Sequence, residues 1–275
     1  MSKRNKLDVA VTYTLLIIVA FIFFFPCLWL ILASFSKSGS IYSFKGFFPK
    51  SYSLQTFINL FTDTRMYNYP RWFLNTLFVA TGSCLLGTFL TILTAYTMSR
   101  FDFKGRKTIM KSTMVLGMFP SFMGMIAVYL LMTQFGLINQ LWGLIFIYAA
   151  GAPMGYLTQK GFFDTIPKSI DEAAKIDGAT NFQIFTRINL PLSKPIIVYT
   201  ALTSFTWPWS DFILPKLLLK EKNLYTVAVG LMSLDETQFA RFAAGSVFIA
   251  LPIVILYFCL VKNMVEGISE GAIKG

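Results

Sequence analysis

The chain alternates long apolar runs with shorter polar intervals, and this alternation predicts its organisation. A run of about 20 apolar residues is long enough to cross the hydrocarbon core of a bilayer as an α-helix. We therefore predict an all-α integral membrane protein whose transmembrane helices cover residues 11–33, 73–96, 112–132, 141–158, 196–213 and 242–261. Glycine and proline interrupt the third and fourth runs and predict kinks there, at Gly117, Pro120 and Gly124 and at Gly151, Pro153 and Gly155.

The second predicted span carries small residues at every fourth position. These are Ser83, Gly87, Thr91 and Ala95. Residues four apart share one face of a helix, and small side chains on that face let another helix approach closely. We expect this stripe to pack against a neighbouring helix, with a substrate path along it as the alternative.

The longest polar interval of the second half, residues 164–195, carries signals for two short helices and is called the coupling loop below. Pro167 is placed to begin the first helix, Ser169 and Glu172 have the spacing of a capping box, and Gly178 is placed to end that helix in a turn. Two short helices joined by a turn form a stiff projection that suits mechanical contact with a partner. An amphipathic segment resting on the bilayer surface is the alternative.

The second half of the coupling loop repeats the same signals. Thr180 and Gln183 again have capping-box spacing. Pro191 lacks a backbone N–H, so we expect the second helix to stop there.

Composition and charge support a membrane protein. The 275 residues are 55% hydrophobic and only 13% charged, which is too apolar for an ordinary soluble domain. The net charge of +11 could suggest nucleic-acid binding, but the basic residues flank the apolar runs, so no nucleic-acid partner is expected. All three cysteines lie inside apolar runs, which predicts neither a disulfide nor a metal site.

Basic residues also predict the orientation. Lys3, Arg4 and Lys6 precede the first run, and residues 100–111 are rich in Lys and Arg, as is typical of cytoplasmic segments. We therefore expect a multi-pass protein with both termini in the cytoplasm. Its predicted parts are a cytoplasmic tail, a transmembrane domain, the cytoplasmic coupling loop within that domain and a second cytoplasmic tail, over residues 1–10, 11–263, 164–195 and 264–275.

The residue types that are missing exclude several functions. The chain has no histidine, and the predicted spans contain no Asp, Glu, Lys or Arg apart from Asp211. Ion-coupled carriers keep ionisable groups at mid-membrane depth, so a stand-alone carrier or channel is the less favoured alternative. The sequence contains no GxxxxGK[ST] phosphate loop and no catalytic set of side chains, so we expect a non-enzymatic subunit whose energy comes from another protein.

The coupling loop also matches a longer pattern. It reads Glu172-Ala173-Ala174, then Gly178 after three residues, then Ile188 after nine more, then Leu190-Pro191 after one. This spacing resembles the EAA loop of the membrane subunits of ABC importers. The segments TSFTWPWSDFILPKLLL, LYTVAVGL and MVEGISEGAIKG further resemble the permeases of carbohydrate importers, specifically the second, smaller permease of the maltose/maltodextrin type.

This resemblance implies a type I (MetI-like) ABC importer permease fold with six transmembrane helices in a bacterial plasma membrane. It implies an oligosaccharide substrate of maltodextrin type, a homologous permease as heterodimer partner, two ATPase subunits and an extracytoplasmic sugar-binding protein. ATP and Mg²⁺ would bind to the ATPases, and no cofactor is expected in this chain. An importer for another solute remains the first alternative, because an ATPase, not the substrate, contacts the EAA loop.

The resemblance also implies site residues. The ATPase-docking set is Glu172, Ala173, Ala174, Asp177, Gly178, Ile188, Leu190 and Pro191. Contacts of the C-terminal tail with the ATPases are expected at Glu266, Gly267, Gly271 and Lys274, where a solvated chain end is the alternative.

A sugar cavity is predicted at the end of the fifth span, from Trp207, Trp209 and Asp211. Aromatic faces and a hydrogen-bond acceptor suit a sugar, whereas aromatic residues of the membrane interface are the alternative. Relatives usually read Trp-Asn-Glu/Asp-Phe where this chain has Ser210 after Trp209, which leaves the role of that position open.

Overall fold

The computed structural model describes residues 6–37, 39–43, 48–65 and 67–272. Its first seven α-helices are α1 Lys6–Ser34, α2 Gln55–Thr62, α3 Tyr69–Arg100, α4 Arg106–Gly117, α5 Met125–Gln134, α6 Leu141–Gly151 and α7 Tyr156–Thr165. The next seven are α8 Lys168–Ile176, α9 Asn181–Ile184, α10 Leu190–Leu192, α11 Lys194–Ser210, α12 Ile213–Leu218, α13 Val227–Met232 and α14 Phe239–Ala272. Extended pairing among the described residues is limited to one isolated bridge between Ser36 and Tyr52. The prediction of an all-α membrane protein is confirmed.

Three of the described helical stretches are long and apolar enough to cross a membrane. They cover Val9–Ser34, Tyr69–Arg100 and Glu236–Val261. Two further candidates are bent pairs, with 95° between Arg106–Gly117 and Phe122–Gln134 and 45° between Leu141–Gly151 and Tyr156–Thr165. Both bends fall where Gly and Pro predicted kinks, although they are sharper than the gentle curvature of an ordinary long helix.

The fifth predicted span, 196–213, corresponds to α11, which has 17 residues and is about 26 Å long at 1.5 Å per residue. The helix ends at Ser210, and α12 begins after a break at Asp211 and Phe212. The count of six spans therefore stays a prediction.

The chain forms two compact units. The first contains the described residues of the ranges 1–70 and 230–250, and the second contains those of the ranges 71–229 and 251–275. In the first unit, Arg241 pairs with Asp63 at 2.9 Å. The hydroxyl of Tyr69 donates to the carbonyl of Gly245 at 2.8 Å in the same unit.

The second unit has its core at one end of α3. Ile92, Ala95, Tyr96 and Met98 of α3 are buried there with residues of α7 and the adjoining turn, Tyr156, Phe163 and Ile166. Residues of the coupling loop and α11, including Phe185, Leu190 and Ile197, pack against this cluster. The coupling loop is therefore attached to a buried core on one side.

A second core of the same unit lies at the other end of α3, where residues 218–227 pack against the start of that helix. Leu218, Leu219 and Val227 are at most 1% exposed. The Asn75 amide donates to the carbonyls of Asn223 and Tyr225, at 2.8 and 3.0 Å. These bonds fasten residues 218–227 to the start of α3 and explain how a segment with many polar residues is buried.

Candidate functional site

The first helix of the coupling loop begins at Lys168, directly after Pro167. Pro167 has an extended conformation, with φ −58° and ψ 129°, and this position has no side-chain cap. Ser169 therefore lies inside the helix, and the prediction that it caps the helix with Glu172 is wrong. Proline fixes φ and precedes the helix at no hydrogen-bonding cost, so the helix starts earlier than the Ser169 signal predicts.

Gly178 ends this helix as predicted. Its φ is +82°, in the left-handed region that favours glycine. The Gly178 N–H donates to the carbonyl of Lys175 at 3.0 Å, and the Ala179 N–H donates to that of Ala174 at 2.9 Å. These two bonds form a Schellman motif, which satisfies carbonyls that the end of the helix would otherwise leave free.

The second helix starts at the predicted capping box. The Thr180 N–H donates to Gln183 Oε1 at 2.8 Å, and the Gln183 N–H donates to Thr180 Oγ1 at 3.3 Å. The helix does not stop at Pro191, so that prediction is wrong. Residues 185–189 widen into a π-helix, and α10 then continues through Pro191 to Leu192. The Leu190 N–H reaches back to the Phe185 carbonyl.

The coupling loop presents an exposed surface around the Schellman turn. Of the predicted docking residues, Glu172, Ala173, Asp177, Gly178 and Pro191 are exposed, whereas Ala174, Ile188 and Leu190 are half-buried. Two large apolar side chains next to them are also exposed, Ile176 at 87% and Phe182 at 73%. An exposed apolar patch bordered by charges is typical of a protein interaction site.

A buried ion pair holds this surface in place. Arg100, at the end of α3, pairs through Nε with Asp171 Oδ2 at 3.0 Å, and the two side chains are 5% and 10% exposed. The Asn189 amide donates to Asp171 Oδ1 at 2.8 Å. Arg100 also donates through Nη2 to the Ile166 carbonyl at 3.0 Å. The residue directly before Glu172 is therefore fixed to α3 and to the π-helix.

Sequence reasoning missed Arg100, Asp171 and Asn189 as a functional group. In the sequence, Arg100 is one of several basic residues of the segment 100–111. One available signal was the acid directly preceding the EAA pattern. Asp164, the first residue of the coupling loop, is also held in place. Its Oδ1 accepts from Ser99 Oγ of α3 at 2.6 Å, and its Oδ2 pairs with Lys160 at 2.5 Å.

A cavity of about 900 Å³ lies in the second unit, lined by residues of α3, α5, α6, α7, α11 and α12. Trp207 and Asp211 line it, and their contact with a sugar stays a prediction. Trp209 is 1% exposed and packs between Phe73 and Phe205, with ring centroids at 5.1 and 5.9 Å, so it belongs to the core and not to the cavity wall. Because its ring is buried, Trp209 is not a cavity-lining member of the three residues predicted for the sugar cavity.

Two hydrogen bonds cross the cavity. One joins α6 to Asp211, the residue after α11, and the other joins α7 to α11. The Tyr148 hydroxyl donates to Asp211 Oδ2 at 2.9 Å, and the Gln159 amide donates to Thr200 Oγ1 at 3.1 Å. Thr200 and Asp211 are separated by about 16 Å along a helix. In the described residues no cluster of three or more metal-ligating side chains occurs.

The predicted tail contacts fall largely outside the described side chains. The backbone is helical through Ala272, which includes Glu266, Gly267 and Gly271. Lys274 lies outside the described residues. Their contact with an ATPase stays a prediction.

The coupling loop is thus an exposed helix pair that is attached to α3 by a buried ion pair. The chain matches the family model "Binding-protein-dependent transport system inner membrane component" over residues 87–270 and belongs to that family.

Relatives match along the whole chain. The maltodextrin transport system permease protein MalD of Streptococcus pneumoniae is 37% identical over 99% of this chain and 98% of its own length. The galactooligosaccharides transport system permease protein GanQ of Bacillus subtilis is 38% identical over 100% of this chain and 99% of its own. The resemblance to permeases of the maltodextrin type is confirmed.

The fold is shared with solved structures of low sequence identity. A bacterial ABC transporter involved in import of the acidic polysaccharide alginate contains a chain that is 20% identical, with a TM-score of 0.77 over 95% of this chain and 99% of that one. A second structure, of an alginate ABC transporter in complex with an alginate pentasaccharide-bound periplasmic protein, gives a TM-score of 0.67 at 21% identity over 93% of each chain. The ABC importer permease fold is confirmed.

Proposed function

We propose that this chain is a non-catalytic permease subunit of an ATP-driven ABC importer for oligosaccharides of the maltodextrin type. One observation carries the proposal: the exposed surface of the coupling loop is fixed by a buried ion pair to α3, a helix that also lines the cavity. Relatives named for maltodextrin and galactooligosaccharide transport support an oligosaccharide as the substrate. An importer for another solute is the alternative.

The proposed assembly contains a homologous permease as heterodimer partner, two ATPase subunits and an extracytoplasmic sugar-binding protein. ATP and Mg²⁺ bind to the ATPases and to no site in this chain. The protein crosses the bacterial plasma membrane six times with both termini in the cytoplasm. Glu172, at an exposed position of α8, would pair with a basic group of the ATPase, and Glu266, Gly267, Gly271 and Lys274 would contact the ATPases from the tail.

The contacts of the coupling loop explain how movement of an ATPase would reach the cavity. The exposed side of α8 docks on the ATPase, and Asp171 on the same helix is bonded to Arg100 of α3. The loop continues through α10 almost directly into α11, with only Ser193 between them. Both α3 and α11 line the cavity. A displacement of α8 therefore moves two cavity walls, because helices and buried ion pairs transmit displacement with little deformation.

The test is cross-linking from a single cysteine at Ala174, in a variant that lacks Cys27, Cys84 and Cys259, within membranes that contain the whole transporter. Capture of an ATPase subunit, altered by added nucleotide, is expected. Capture of lipid alone would show that the coupling loop rests on the membrane surface, and a stand-alone carrier or channel would then be the better interpretation.

A further inference from the structure

The cavity wall contains a buried amide whose acceptor has no partner in the described residues. Gln159 is 6% exposed and lines the cavity, and its Oε1 makes no hydrogen bond there. The orientation of this amide is fixed by its neighbour. Thr200 Oγ1 donates its single proton to the Ile196 carbonyl at 2.7 Å, so it must accept from the amide nitrogen of Gln159. The carbonyl oxygen of Gln159 is thereby left free as an acceptor.

Two hydroxyls of α3 share this property. Ser83 and Thr91 are 2% and 1% exposed, line the same cavity and have no hydrogen-bond partner for Oγ or Oγ1 among the described residues. They are the two polar members of the predicted small-residue stripe, whose other members, Gly87 and Ala95, are also buried. The stripe thus packs as predicted and also contributes to the cavity wall. Ser83 and Thr91 are about 12 Å apart along the helix.

Unpaired buried polar atoms favour a ligand that can bond to them. Each such atom destabilises the protein unless water or a ligand satisfies it. The only charged lining residue in the described part of the chain is Asp211, and it already accepts from the Tyr148 hydroxyl and the Leu214 N–H. The three unpaired groups, two hydroxyls and one amide oxygen, carry no charge, which suits a neutral ligand whose hydroxyls both donate and accept.

We propose that Ser83, Thr91 and Gln159 form a hydroxyl-binding band, by which this subunit itself binds a neutral polyhydroxylated solute during its passage. The proposal rests on the proposed function. It adds a contact surface on α3 and α7 that is separate from Trp207 and Asp211.

The experiment uses the whole transporter in proteoliposomes with saturating maltotriose-loaded binding protein, and measures maltotriose delivered per ATP hydrolysed. Thr91→Val and Gln159→Met each remove hydrogen-bonding atoms at nearly constant volume, and Thr91→Ser keeps the hydroxyl. The matched control is Thr94→Val, because Thr94 lies on the same helix, donates to the Leu90 carbonyl and does not line the cavity.

We expect the double variant Thr91→Val/Gln159→Met to deliver about tenfold less maltotriose per ATP, since two ligand hydrogen bonds of ordinary strength are lost. Thr91→Ser and Thr94→Val should stay within about twofold of the wild type. Thermal unfolding distinguishes the loss of ligand hydrogen bonds from a structural defect. Replacing an unpaired buried hydroxyl by a methyl group should not lower the melting temperature of the Thr91→Val transporter.

Unchanged delivery by the double variant would mean that only water occupies the band, and would overturn this inference while the proposed function stands. An equal loss in Thr94→Val, or a lowered melting temperature of Thr91→Val, would also overturn it. No maltotriose delivery by the wild-type transporter would overturn the proposed function as well.

Discussion

Gly178 has a backbone conformation that glycine favours, and the space around its Cα is open within this chain. Its φ is +82°, and a Cβ added there would meet no described atom within 4 Å. Asparagine and aspartate tolerate this backbone region better than other non-glycine residues. Gly178→Asn and Gly178→Asp should therefore fold and insert into the membrane. We expect both to reduce ATP-dependent uptake at least about tenfold, because their side chains extend into the surface that docks on the ATPase.

The measurement is uptake by membranes matched for the amount of inserted protein. Lys175→Ala is the control, because Lys175 is exposed on the same helix and is not a predicted docking residue. Normal uptake by Gly178→Asn, together with lost uptake by Gly178→Val, would show that only the turn matters and that no partner approaches this position.

Single residues of the coupling loop could be predicted where their signal is local. The glycine that ends α8 and the Thr180–Gln183 capping box depend on neighbours within five residues, and both are found in the structure. The pair of Arg100 and Asp171 joins residues 71 positions apart, and each is an ordinary charge in its own segment. The place of Asp171 directly before the EAA pattern marks the acid, but no local spacing identifies Arg100 as its partner.

At the scale of elements, this ion pair is the joint between α3 and α8. Removing one partner of a buried pair leaves the other charge without compensation, at a cost of about 3–5 kcal/mol. Arg100→Ala should therefore lower the melting temperature of the transporter and make the coupling loop sensitive to protease. The matched control is Arg106→Ala, since Arg106 pairs with Asp102, whose side chain is 87% exposed, and such surface pairs stabilise little.

The double variant Arg100→Met/Asp171→Leu separates stability from coupling. Apolar residues of similar size can replace a buried ion pair with little loss of stability, so the melting temperature should recover in part relative to Arg100→Ala. ATP hydrolysed per molecule of solute should still be higher than in the wild type, since the ion pair that joins α3 to α8 is gone. Wild-type coupling in this variant would show that packing alone joins the two helices.

The elements that can be predicted from the sequence are those whose structure depends only on residues of their own segment. Apolar runs located α1, α3 and α14, and Gly and Pro located both bends. The bend angles of 95° and 45° were not predictable, because the packing of neighbouring helices sets them. The burial of Leu218, Leu219 and Val227 is not predictable from their own segment, which contains many polar residues. Their burial depends on distant donors such as Asn75.

At the scale of the whole molecule, the open question is whether α11 crosses the membrane. Its length of about 26 Å is slightly below the hydrocarbon thickness of about 30 Å. A short span is accommodated when charged residues at its ends reach the interfaces and the bilayer thins locally. Lys194 and Lys216 bracket the stretch that contains α11 and the start of α12. This arrangement favours a crossing.

Fusions to alkaline phosphatase, which is active only outside the cytoplasm, test this topology. With six spans, a fusion after Asn139 and a fusion after Lys222 should both be active, whereas fusions after Gly178 and at the C-terminus should be inactive. If α11 does not cross, the fusion after Lys222 becomes inactive and the C-terminal fusion becomes active, because every later segment changes side. The fusion after Asn139 is the internal control, since its location depends only on the first three spans. An active C-terminal fusion would also place the tail outside the cytoplasm and so exclude its contact with the ATPases.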